Sequence, residues 1–134
     1  MTQEDYISFE TAKLLKEKGF DEKCRTYYKV FPESRIAAIY HSSENRGVSE
    51  DDPNEILCPT LQMVMKWLRE VHKIHISVEI GFDVDNHQYY FFVPSVCRFS
   101  DKSGEYENPF GEKEFDTYEK ACEAAIKYCL ENLI

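Results

Sequence analysis

Pro59-Thr60-Leu61-Gln62-Met63-Val64-Met65-Lys66-Trp67-Leu68-Arg69-Glu70-Val71-His72-Lys73-Ile74-His75-Ile76-Ser77-Val78-Glu79-Ile80-Gly81-Phe82 changes period once, and that change decides the fold. In its first half Leu61, Val64, Met65, Leu68 and Val71 recur at helical spacing, while Gln62, Lys66, Arg69 and Lys73 trace the opposite stripe. A helix with one buried side has this pattern. Thr60 is placed to cap it, its hydroxyl accepting from an N–H that the first turn leaves unpaired. Met63 and Trp67 widen the apolar sector, so the helix needs more than one neighbour. From His75 the period is two: Ile76, Val78, Ile80 and Phe82 alternate with Ser77, Glu79 and Gly81, as in a strand with one buried face.

Outward from this stretch, Ser8 caps a first helix through Phe9, Ala12 and Leu15. Gly19 ends it, with Phe20 folding back on Leu15. Arg25 to Phe31 and Arg35 to Tyr40 flank Pro32-Glu33-Ser34 and predict a hairpin. A second hairpin follows the organising strand: a turn through Asp85-Asn86, then the aromatic run Gln88 to Val93. Pro94 ends or kinks that strand, and Val96 to Phe99 resumes it. Asp116 and Glu119 resemble a capping box before a last helix, whose stripe includes Ala121, Cys122, Ala125, Ile126, Cys129 and Leu130. The order α-ββ-α-ββ-α predicts a single α+β domain over residues 1–134. Its sheet is antiparallel, of four or five strands, with helices mainly on one face.

The chain has 134 residues, 43% of them hydrophobic, enough for a core without metal or disulfide. Its net charge of −9 is concentrated: residues 41–56 hold five acids against one arginine, and 100–116 six against two lysines. Both segments predict long acidic surface loops. The charge disfavours direct binding to nucleic acid or to an anionic membrane, because both reward clustered Lys and Arg. The acidic N-terminus and five cysteines without a CxxC pair predict a cytoplasmic protein with reduced thiols.

Three blocks resemble a family of small uncharacterised proteins from phages and mobile elements of gut Bacteroidetes. They are Ser8-Phe-Glu-Thr-Ala-Lys-Leu-Leu-Lys-Glu-Lys-Gly-Phe-Asp, then Pro59-Thr-Leu-Gln with Lys66-Trp-Leu-Arg-Glu-Val-His-Lys-Ile-His-Ile, and Tyr118-Glu-Lys-Ala-Cys-Glu-Ala-Ala. The blocks fall in the same order at similar separations. The family has no established activity, so the resemblance implies origin rather than chemistry.

No phosphate-binding glycine pattern, GxSxG or HExxH occurs in the sequence. The expectation is no catalytic, cofactor-binding or metal-binding residue. Aromatic side chains on both faces of one strand point instead to a protein partner or self-association, with Tyr90 and Phe92 as the apolar surface. Glu50, Asp51 and Asp52 supply an acidic surface that could mimic nucleic acid on a basic protein. The alternative is a small enzyme or ligand-binding domain, with His72, His75 and Glu79 in a pocket between helix 60–73 and the sheet.

Overall fold

The computed structural model describes residues 5–33, 36–47, 52–83, 85, 89–111 and 113–134. The elements are α1 (Phe9–Glu17), β1 (Cys24–Phe31), β2 (Ile36–Arg46), β3 (Glu55–Leu57), α2 (Leu61–Val71), β4 (Ile74–Phe82), β5 (Tyr90–Phe99), β6 (Gly104–Glu107) and α3 (Tyr118–Asn132). They fall into two compact units, Met1–Met63 and Val64–Ile134, and α2 passes from the first into the second. Among the described residues the fold is α+β with three helices, but the expected sheet of four or five strands is instead two antiparallel sheets of three. The difference lies in the two segments read as loops. Residues 41–46 continue β2, while β3 and β6 are strands of three and four residues. In β6 Glu105 and Tyr106 are both exposed and show no apolar alternation, while β3 buries Ile56 but is too short to display a period.

In the first unit β1 lies between β2 and β3. Helix α1 packs on β3 and ends as the sequence predicts. Gly19 takes φ 85°, its N–H donating to Lys16 O, while the Phe20 N–H donates to Leu15 O at 3.1 Å. Both Leu15 and Phe20 are buried, which completes the helix terminator. Arg46 ties the three strands together: its guanidinium lies 4.3 Å from the Tyr27 ring centroid on β1 and pairs with Glu55 on β3 at 2.8 Å. Glu55, one of the five acids of residues 41–56, is thus engaged within the sheet. Asp52 Oδ1 accepts from the Asn54 N–H at 2.9 Å, holding a turn, whereas Glu50 and Asp51 lie outside the described residues.

In the second unit β5 lies between β4 and β6, and α3 packs on β4 and β5. Six residues of α3 face the core: Ala121, Cys122, Ala125, Ile126, Cys129 and Leu130. Four of these are Ala or Cys, small enough to let the helix approach the strands closely. Its cap is Thr117, accepting from the Lys120 N–H at 3.1 Å; the expected cap residue, Asp116, pairs with Lys120 Nζ at 3.0 Å instead. Strand β5 runs unbroken through Pro94. Phe92 sends its N–H away from β4 to Phe115 O, and Pro94, two residues on, has its missing donor on that same outer side. There the outer pairing is interrupted between the Phe92–Phe115 bridge and the start of β6 pairing at Val96, so no ladder bond is lost.

The helix read as 60–73 is shorter than expected, and two residues, His72 and Lys73, join it to β4. Helix α2 starts at Leu61, with Thr60 Oγ1 accepting from the Met63 N–H at 3.2 Å, and stops at Val71. Lys73 then takes φ 57°, a left-handed conformation that costs a non-glycine residue on the order of 1 kcal/mol. Lys73 O accepts from the Phe99 N–H at 3.0 Å, which fixes the turn against β5. Lys73→Gly is expected to raise stability by about 1 kcal/mol, and Lys73→Val to lower it. Urea midpoints of the two variants against the parent check both signs.

Candidate interaction surface

Strands β4 and β5 pair without a register shift from Ile74↔Arg98 to Phe82↔Tyr90. Residues directly opposite share a face, so Ile74, Ile76, Val78, Ile80 and Phe82 lie beside Val96, Pro94, Phe92 and Tyr90. Helix α3 covers this face from one end, since its Tyr118 meets Phe92 edge-on at 6.2 Å. Burial then fades along the strand. Ile74, Ile76 and Val96 are buried, but Ile80 is 53% exposed, Phe82 66% and Tyr90 55%. Phe92 is half-buried and packs edge-to-face on Tyr90 at 5.8 Å.

The predicted aromatic pair, Tyr90 and Phe92, therefore sits together on one face, at the boundary between core and solvent. Ile80 and Phe82 were expected to be buried by their alternation, and the structure exposes them. The period set their face correctly. What it does not encode is where the covering helix ends. A cue was present in the sequence: Asp83 follows Phe82 directly, with Asp85 two residues on, and charge beside an apolar strand end marks the edge of a core. Asp83 is itself engaged, accepting a short hydrogen bond from the Tyr89 hydroxyl, which pushes the phenol up to about 12.

The residues of the alternative reading do not converge. His72 follows the last turn of α2 with its ring 4.7 Å from that of Trp67, and its Nε2 is buried without a hydrogen-bond partner. His75 and Glu79 are both exposed and share the opposite face of β4 from Ile80, four residues and hence about 13 Å apart. Among the described residues no group of three His, Cys, Asp or Glu side chains is placed to hold a metal ion. None of the described helices is long and apolar enough to cross a membrane.

All five cysteines are free and buried. Desolvation raises the Cys24 thiol, against the lowering effect of backbone hydrogen bonds, and pushes Cys129 up to about 12, helped by the nearby Glu107 carboxylate. Neutral thiols in the core are packing groups rather than nucleophiles. A separate concavity, a groove of about 310 Å³, opens in the first unit beside the irregular pairing of β1 with β2. Sequence reasoning missed it, because it arises where the two strands fall out of register.

No family model, curated protein or solved structure matches the chain.

The raised Cys129 pKa has a definite sign. The folded state keeps the thiol protonated, so the stabilisation is complete below the ordinary value of 9.0 and is lost as pH rises through the folded value near 12. At about pH 10.5 the deficit from Cys129 is on the order of 2 kcal/mol. Urea midpoints should therefore fall between neutral pH and that value, and a flat profile would contradict the assignment.

Proposed function

We propose that the protein is a non-enzymatic interaction protein, an accessory factor of phage or mobile-element origin, which docks a partner on the uncovered end of the β4–β5 face. The observation that carries this is the group Ile80, Phe82 and Tyr90. Three large apolar side chains, each more than half exposed, lie side by side on a face whose other end is core. Removing such a side chain from water is worth about 1.5–3 kcal/mol, so covering the group rewards a partner strongly.

Charge selects the partner. Asp83 and Asp85 border the group, and the whole chain carries −9. A second copy would bring acid against acid. The complementary surface is a protein face with apolar residues flanked by Lys and Arg, as a nucleic-acid-binding protein presents. The acids would then steer the encounter, and the aromatic residues would supply most of the affinity.

Affinity capture from the native host, run in parallel with the parent chain and with Phe82→Ser, tests the reading. One basic protein should be retained by the parent, lost from Phe82→Ser by about tenfold or more, and released by raised salt. Phe82 is exposed, so the variant should melt with the parent. Capture that is identical for both chains, or a chain that only self-associates, would refute it.

A further inference from the structure

From the groove in the first unit we infer a binding site for a small phosphate monoester. It is formed by a break in register. Cys24 pairs with Arg46 and Thr26 with His41, so two steps along β1 face five along β2, leaving three extra residues on β2. Bulges of this kind re-aim side chains and withdraw backbone groups from the ladder. Ser42 Oγ accepts from the Glu44 N–H at 3.2 Å, which holds the bulge, and Thr26 Oγ1 meets His41 Nδ1 at 3.2 Å across the two strands.

The lining is cationic in an otherwise acidic chain. Lys23 and Arg25 line the groove with His41, Ser42 and Thr60, and none of the described lining residues is acidic. An ammonium and a guanidinium beside hydroxyls and an imidazole offer more donors than the two oxygens of a carboxylate use. They match the three oxygens and near-double charge of a phosphate monoester. Thr60 adds a further hydroxyl at the same place: its Oγ1 accepts from the Met63 N–H at 3.2 Å and keeps its own proton to donate.

Size and the apolar wall restrict the rest of the ligand. A volume of about 310 Å³ stands at the lower limit for small-molecule clefts and fits a compact molecule. Met63, Pro59 and the Tyr6 ring, itself edge-on to His41 at 5.9 Å, give the ester group an apolar surface. The site lies in the other unit from the β4–β5 face and is independent of the docking proposal.

Isothermal titration of the full chain with phenyl phosphate, inorganic phosphate and benzoate tests the inference. Phenyl phosphate should bind about tenfold more tightly than either of the others, since only it satisfies both the cations and the apolar wall. Arg25→Gln and Lys23→Gln should each weaken it by about tenfold with unchanged melting, because both side chains are exposed. Phe82→Ser should bind like the parent. Equal binding of benzoate, no binding of phenyl phosphate, or affinity unaffected by both substitutions would overturn the assignment.

Discussion

Strand β4 has nine residues and spans about 30 Å, whereas the fifteen-residue helix α3 that packs on it spans about 22 Å. That mismatch governs the second unit. Where the helix lies, Ile74, Ile76, Pro94 and Val96 form a core against Ala121, Cys122, Ala125 and Ile126. Beyond Tyr118 the same face continues without cover, and the side chains that alternation assigned to the interior emerge as Ile80, Phe82 and Tyr90.

The remaining chain of the second unit reinforces the covered end. Phe110 meets both Phe115 and Tyr128 edge-on, at 5.6 and 6.1 Å, and Phe115 exchanges two backbone hydrogen bonds with Phe92. Glu107 on β6 accepts from the Tyr128 hydroxyl at 3.2 Å and pairs with Arg98 at 3.5 Å. Part of the charge of residues 100–116 therefore secures the sheet to α3 rather than standing free. The same holds in the first unit, where Arg46 engages Glu55 and Tyr27.

Local rules were legible in the sequence wherever one residue type satisfies one backbone need. Ser8, Gly19 and Thr60 bound their helices as read, and the pairings Phe31↔Ile36 and Phe82↔Tyr90 realise both expected hairpins. Strands β3 and β6 were not legible: Glu55–Leu57 is too short to show a period although Ile56 is buried, and Gly104–Glu107 carries no apolar alternation. The candidate interaction surface was half legible. Tyr90 and Phe92 stood out by composition, but Ile80 and Phe82 look like core until the extent of α3 is known. The groove had no sequence signal, since it depends on three extra residues in a register that only the folded pairing defines.

The two units also differ in topology, with β1 central in the order β2-β1-β3 and β5 central in β4-β5-β6. The repeated α-ββ order is thus not a repeated fold. The proposed docking requires the apolar end of the β4–β5 face to be open in the free protein and closed by a partner. Hydroxyl-radical footprinting of Phe82 and Tyr90, alone and with the captured basic protein, tests it most directly. Strong labelling of both rings in the free chain, suppressed in the complex while Tyr106 stays reactive, is the predicted result. Weak labelling in the free chain, or labelling unchanged in the complex, would contradict it.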